Sequence, residues 1–426
     1  MKKILAALLA MVLCVSLLAS CQKEEAGSEV SSDVAPTEVT IKTVSMVGGA
    51  DASAAAYAAV VQSFDDANEY ITVVDESEES SEEWKSAVVS SFETGDNADV
   101  VFFFTTSDAD DMLEYVVSLE EIREVYPDYC NWINESAIAA VAGTDGVQYA
   151  IPVKGYWEGL FVNEDLYTAN NIDLPSDWAK FTGSFDALNE AGIIPMAFGA
   201  DIPHYWIEHF ILAAGPVADH AANPGTDVAK VPASWYAGMG LFKDLYDLGG
   251  FAKAAASTDY NTACEQFINK KAALSVDGSW WCGSIVDQDT TTVMAMPATA
   301  DSGKSTTDVI AGFSSGFYIA RSAWEDEAKR DACVAFVEAA CSPEAVASYV
   351  EQGGAPTCAI EANPDVVAPR TAVDGAAMVG AADNVDMPLG DRMATAYAEF
   401  ISGAAQIMSG DKSVDDVIAA FCEANK

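Results

Sequence analysis

The sequence predicts an α/β protein built on a parallel, doubly wound sheet, and three observations predict it. Apolar strand-like runs and helical stretches alternate from Val39 onward in the order β-α-β-α-β-α. The third strand ends in Val100-Val101-Phe102-Phe103-Phe104, a wholly apolar run of the kind buried on both faces of a parallel sheet. Turn and cap residues stand at the joints, among them Gly48-Gly49, Gly95 and Thr105-Thr106-Ser107-Asp108.

Taken in order, residues 39–45 alternate as a first strand, and residues 52–68 carry Tyr57, Val60, Val61 and Phe64 at helical spacing. Residues 70–74 read as a second strand. Residues 82–92 read as a helix ending near Gly95, and residues 112–117 as a third helix after the capped loop. Sheets of this kind take ligands beyond the carboxyl ends of their strands. That places Ser45, Asp51 and Thr105 as candidates for holding polar groups, Asp51 serving equally well as a helix cap.

Ahead of this lies Met1-Lys2-Lys3 and an apolar run over residues 4–18, the proportions of a secretory signal and short for a membrane span. It ends Leu18-Ala19-Ser20-Cys21, small residues before a cysteine, the pattern of a bacterial lipoprotein signal. Cleavage would remove residues 1–20 and leave Cys21 acylated, a lipid anchor to the membrane. Residues 21–37 lack aromatics and read as a flexible tether. The chain is thus expected on the extracytoplasmic face of a bacterial membrane.

With 66 Asp and Glu against 21 Lys and Arg, the net charge of −45 opposes binding to nucleic acid or to an anionic membrane face. The acidic run Asp75–Glu83 lacks ligand spacing and a turn glycine for a cation, and reads as a solvated loop. After Cys14 and Cys21 are set aside, Cys130, Cys264, Cys282, Cys333, Cys341, Cys358 and Cys422 remain without a CxxC, so no zinc site is suggested. Cys333 and Cys341 on one helix would lie ~12 Å apart, too far to bridge. Free, buried thiols are expected.

Residues 146–163 look like a crossing between two lobes. The stretch opens at Asp145-Gly146 and runs extended to Ile151. Pro152, Gly155 and Gly159 then interrupt it around Tyr156-Trp157, before a buried strand at Leu160-Phe161-Val162. The alternative is an edge strand with two half-exposed rings. Beyond it, strands are expected over residues 193–198, 293–296 and 310–320, and residues 272–281 read as a strand ending in a turn and paired tryptophans. Helices are expected over 186–191, 206–212, 234–248, 261–269, 325–341, 392–408 and 414–424, with a restart at Ser342-Pro343-Glu344.

These pieces, in this order, resemble the extracellular solute-binding proteins of ABC importers, the sugar-binding group that includes maltose-binding protein. The resemblance rests on the cysteine signal, Gly95-Asp96-Asn97-Ala98-Asp99-Val100-Val101, Tyr149-Ala150-Ile151-Pro152 and Glu190-Ala191-Gly192-Ile193-Ile194-Pro195. Phe267–Leu274 leading into Asp277-Gly278-Ser279-Trp280, and Ala335-Phe336-Val337 with Ser342-Pro343-Glu344, complete it. The chain departs from the family in its scarcity of Lys and Arg, and in carrying Tyr156-Trp157 where a single Tyr usually follows the crossing proline.

The resemblance implies two doubly wound α/β lobes joined by a hinge crossed several times, the periplasmic-binding-protein arrangement of class II. The lobes would be residues 38–150 with 306–353, and residues 151–305 with 354–426. It implies a monomer that closes on a carbohydrate, with an ABC permease as partner and no cofactor. Sugars present apolar C–H faces and a girdle of hydroxyls, so aromatic platforms with polar groups in the ring plane suit them. Trp280 and Trp281 stand where the family places a stacking tryptophan, and at least one is expected in the cleft. Tyr156, Trp157 and Trp206 are further candidates, each also fit for a core. Lys154, Phe313 and Ser314 complete the set.

Catalysis finds little support. The chain has 3 His, with His204 and His209 off metalloprotease spacing, no Gly-x-Ser-x-Gly elbow and no phosphate loop. Carboxylate pairs are too abundant for any one to mark a glycosidase. A non-enzymatic binding protein is therefore expected, with a peptide or polyamine as the alternative solute and a secreted glycoside hydrolase as the remoter alternative.

Overall fold

A computed structural model describes residues 38–49, 51–351, 353–361 and 367–426. The signal segment, the tether and Cys21 lie outside the described residues. The strands are β1 Val39–Ser45, β2 Ile71–Asp75, β3 Val100–Phe104, β4 Lys154–Asn163, β5 Ile194–Met196, β6 Ala272–Gly278, β7 Thr291–Met294, β8 Asp308–Gly312, β9 Ser315–Ile319, β10 Ala355–Pro356 and β11 Asn384–Asp386. They form two sheets, each with its own core.

The first sheet has the order β2-β1-β3-β9, with β2 and β3 parallel to β1 and β9 antiparallel to β3. The helix Glu82–Thr94 shows why the local sequence works. Ser81 accepts the Trp84 N–H through its side chain, Glu82 and Glu83 occupy the positive first turn, and Gly95 ends the helix in the left-handed conformation. At the centre of this core Phe317 stacks on Tyr57, meets Phe102 tilted and meets Phe336 edge-on. The helix expected over 112–117 is instead a 3₁₀ helix, Ser107–Tyr115.

The second sheet is organised on β4, which pairs antiparallel with β6, β7, β8 and β10, while β11 and β5 add parallel to β8 and β6. Side chains alternate across β4. Leu160 and Val162 enter one core, and Trp157 and Phe161 enter another on the opposite face. A strand covered on both faces needs little polarity, which makes Glu158 conspicuous.

The crossings between the sheets lie side by side. Ile151 still pairs with Phe317 of β9, and Lys154 already pairs with Pro356, so the first crossing is Pro152-Val153. The expected strand over 310–320 is in fact two strands in different sheets. Gly312 pairs with Tyr156 and Ser315 with Phe104, which makes Phe313-Ser314 the second crossing. Because β8 belongs to the second sheet, the return to the first comes later than residue 306. The third passage is also longer than the expected break at 354. β10 runs along Lys154-Gly155, whereas Cys358 and Ile360 still pack on the first core.

Gly354 on that passage has φ +110°, and a Cβ there would stand 2.6 Å from the Gly155 carbonyl oxygen. Both features exclude a side chain. Gly354→Ala is expected to lower stability by about 1–3 kcal/mol, measured as a shift in the denaturation midpoint. An unchanged midpoint would mean the crossing tolerates a different backbone path. All seven cysteines of the described chain are free, and all but Cys264 are buried, as expected for inert core thiols.

A candidate ligand site between the lobes

The carboxyl end of β6 and the start of β4 meet beside the crossings, and the candidate site is built there. Tyr156 and Glu158 share one face of β4. Glu158 pairs in register with Gly278, after which a short 3₁₀ helix, Ser279–Ser284, carries Trp280. A Cβ on Gly278 would fall 2.1 Å from the Trp280 ring, so the indole folds back over the bare glycine. Its ring centroid is 6.3 Å from that of Tyr156 and 5.6 Å from that of Tyr205, and Tyr205 is in turn 6.2 Å from Tyr260. These four half-buried rings form a continuous aromatic wall.

Carboxyl groups edge the wall. Tyr156 donates to Asp391 at 3.2 Å and Tyr260 donates to Asp277 at 2.6 Å. Burial pushes the Asp277 carboxyl up to about 7, against the hydrogen bond from Tyr260. Burial, then the nearby Glu208, pushes Asp391 up to about 7 as well. Glu158, at 4 % exposed, is displaced well above the usual carboxylate range by burial and by Glu208, Asp391 and Asp277 around it. Its Oε2 has no hydrogen-bond partner.

The helix His204–Ala214 lies behind this face. Its Glu208 accepts from His220 at 2.8 Å and from the Leu389 N–H at 2.9 Å. His220 also meets Asp386 at 2.6 Å, and Arg392 donates to Asp386 at 2.8 Å. Burial works against the charged form of His220, but the two carboxylates raise it above its ordinary value. His209 has only Glu158 at 3.8 Å and His204 has, among the described residues, no carboxylate that close, and burial lowers both to about 4.

From the other lobe, Lys85 reaches toward this region. It pairs with Glu82 and Asp108 at 2.9 Å each and lies over the Phe104 ring at 4.6 Å. The lobes touch directly where the Ala394 N–H donates to the Ser107 hydroxyl at 3.4 Å.

The residues expected from sequence divide clearly. Trp280 and Tyr156 are in the wall. Trp157, at 2 % exposed, stacks on Phe161, and Trp281, at 6 %, packs on Phe161 and Phe267. Trp206, at 3 %, donates to the Ala197 carbonyl and packs on Phe210 and Phe251. These three are core residues. The sheet explains Trp157, since adjacent residues on a strand face opposite ways.

Ser45 is buried and caps its own turn by accepting the Val47 N–H. Asp51 accepts the Ser53 N–H just ahead of the helix Ala54–Ala67, which has no side-chain cap, and stands 3.9 Å from Lys154. Lys154 donates to the Ser53 hydroxyl, and burial lowers its pKa against the attraction of Asp51. Thr105 and Ser314 join the lobes' edge through a backbone hydrogen bond of 2.8 Å, with Phe313 half-buried on the first core. None of these six belongs to the aromatic wall. Sequence reasoning missed Glu158, Asp277, Asp391, Tyr205 and Tyr260. A lone carboxylate inside an apolar run was the available signal for Glu158 and Asp277.

Residues 59–410 match the family model described as bacterial extracellular solute-binding protein. The chain belongs to this family. As a solute-binding protein it is extracytoplasmic, and its two-lobed fold is shared widely among solved structures. One is a protein of Caldanaerobius polysaccharolyticus from work on xylan utilization (TM-score 0.74, 14 % identity, covering 90 % of this chain and 99 % of that one). Another is the GacH receptor of Streptomyces glaucescens, solved with acarbose (0.73, 18 %, 91 % and 97 %). A third is the maltose/maltodextrin-binding domain MalE of Bdellovibrio bacteriovorus bound to maltotriose (0.72, 16 %, 91 % and 98 %). No curated protein matches the sequence.

The buried groups give the solute-binding protein a characteristic pH response. Between their unfolded values near 4 and their folded values near 7, Asp277 and Asp391 hold protons that the unfolded chain has lost, so their contribution falls as pH rises. Glu158 and His220, also raised, act in the same direction. His204 and His209 act oppositely from 6.5 down to about 4, where only the unfolded chain takes up their protons. The melting temperature is therefore expected to fall gently from about pH 5 to 6.5, where the histidines oppose the carboxyls, and more steeply from about 6.5 to 7. Melts across that range at fixed ionic strength check this, and a rise toward pH 7 would contradict it.

Proposed function

We propose that the protein is the capture component of an ABC importer for a carbohydrate, an oligosaccharide held between the lobes and delivered to the membrane permease. The observation that carries this reading is the wall of Tyr156, Trp280, Tyr205 and Tyr260 edged by carboxyl groups. Flat rings suit the C–H faces of pyranose units, and carboxyl oxygens in the ring plane suit hydroxyl donors. The acarbose and maltotriose held by two proteins of this fold support the same class of solute.

In this reading the first lobe is residues 38–150 with the β9 return and the segment up to Ile360, and the remainder is the second lobe. Contacts from both lobes are available only in the closed arrangement, so a ligand stabilises closure. The protein acts as a monomer without cofactor or catalysis, and Cys21 anchors it by lipid after residues 1–20 are removed. A Cys21→Ser variant should leave the membrane fraction for the medium.

Calorimetric titration with xylo-, malto- and chito-oligosaccharides and glucosamine oligomers tests the solute class. Saturable binding of at least one, with no release of reducing ends on long incubation, is the expected result. Binding of none, or steady hydrolysis, would overturn the reading.

A further inference from the structure

We propose that the saccharide taken by this site carries a protonated amine, recognised by Glu158, Asp391 and Asp277 against the faces of Tyr156, Trp280 and Tyr205. The inference rests on the carbohydrate reading and narrows it.

Most charges around the wall are already matched. His220 lies between Glu208 and Asp386, at 2.8 and 2.6 Å, and Arg392 pairs with Asp386 at 2.8 Å. Two carboxylates thus meet two cations, and that group is neutral. On the opposite lobe Lys85 is held by Glu82 and Asp108. Glu158, Asp391 and Asp277 are left over. Among the described residues no Lys or Arg comes within 4.0 Å of any of them.

Hydrogen bonds do not fill the gap. Asp391 has the Tyr156 hydroxyl, and Asp277 has the Tyr260 hydroxyl and the Gly278 N–H. Glu158 Oε2 is buried without a partner, and its nearest basic neighbour, His209 Nδ1 at 3.8 Å, is already bonded to the Tyr205 carbonyl at 2.9 Å. Burial keeps that imidazole neutral near pH 7, so it supplies no charge. A carboxyl group with an open acceptor atom, buried on the ligand side of β4, is a site waiting for a donor.

A neutral hydroxyl would satisfy the open acceptor of Glu158 but would gain nothing from ionising Asp391 and Asp277, whose carboxyls burial leaves poised near neutrality. An ammonium answers both, with three donors and a positive charge. The rings point to the same conclusion, since Tyr156, Trp280 and Tyr205 present electron-rich faces that attract a cation. A metal ion is a poorer fit, because no group of three His, Cys, Asp or Glu among the described residues is placed to hold one.

The test compares glucosamine oligomers, their N-acetylated counterparts and gluco-oligomers of equal length, with spermidine as a further arm, by calorimetry at about pH 6.5. Glucosamine oligomers are expected to bind at least tenfold more tightly than the acetylated or neutral series, a difference of about 1.4 kcal/mol. The preference should vanish in Asp391→Asn and in Glu158→Gln, each checked for folding by its melting curve. Equal or tighter binding of the neutral series would overturn the amine inference and leave the carbohydrate reading standing. Binding of spermidine with no saccharide would overturn the carbohydrate reading while upholding amine recognition. Silence in every arm would overturn both.

Discussion

Replacing Glu158 with Gln is expected to make the protein more stable and a poorer binder at once. The carboxyl group is buried on an otherwise apolar strand, one oxygen has no partner, and Glu208, Asp391 and Asp277 crowd it with like charge. Leaving a buried polar group unsatisfied costs about 1–3 kcal/mol, and an amide removes the charged part of that cost at similar volume. The gain should be on the order of 1–3 kcal/mol at pH 8.

It should shrink as pH falls, because burial and the surrounding carboxyls favour the protonated form of Glu158. Affinity should fall about 10- to 100-fold, the usual worth of a hydrogen bond from a ligand to a charged acceptor. Melts and titrations of one variant at two pH values separate these effects. A destabilised variant with unchanged affinity would show that Glu158 is held by the fold and faces no ligand.

The tryptophans are expected to split into two classes. Trp280→Ala removes a half-buried ring of the wall, so affinity should drop by about 1–3 kcal/mol with little loss of stability. Trp157→Ala and Trp281→Ala remove rings packed on Phe161 and should cost about 3–5 kcal/mol of stability. Any molecules that remain folded should bind with nearly native affinity. If Trp281→Ala abolished binding at unchanged stability, the division of roles between these neighbours would be wrong.

The fold was readable because its elements are locally consistent. Val100–Phe104 is apolar throughout, Ser81 and Ser342 cap their helices through side chains, and Gly95 stops one. Local pattern says nothing about which sheet a strand joins, so the apolar run over 310–320 looked like one strand although its halves pair with Tyr156–Glu158 and with Val100–Phe104.

The site was legible in part for a similar reason. Aromatic identity marks a candidate platform but not the side of the strand it faces. Tyr156 and Trp157 differ by one residue and end on opposite faces. Glu158 was visible as a charge in an apolar strand. Asp391, in the short helix Leu389–Arg392, carried no such mark, and only its hydrogen bond from Tyr156 brings it to the wall.

The ligand is expected on one face, bounded by Tyr156, Glu158, Trp280 and Asp391. A crystal structure of the protein with its tightest-binding saccharide decides this. A sugar ring should stack about 4 Å from the Trp280 indole, with a donor of the ligand on Glu158 Oε2. A ligand seated elsewhere, with Trp280 bare and Glu158 still unpartnered, would contradict it.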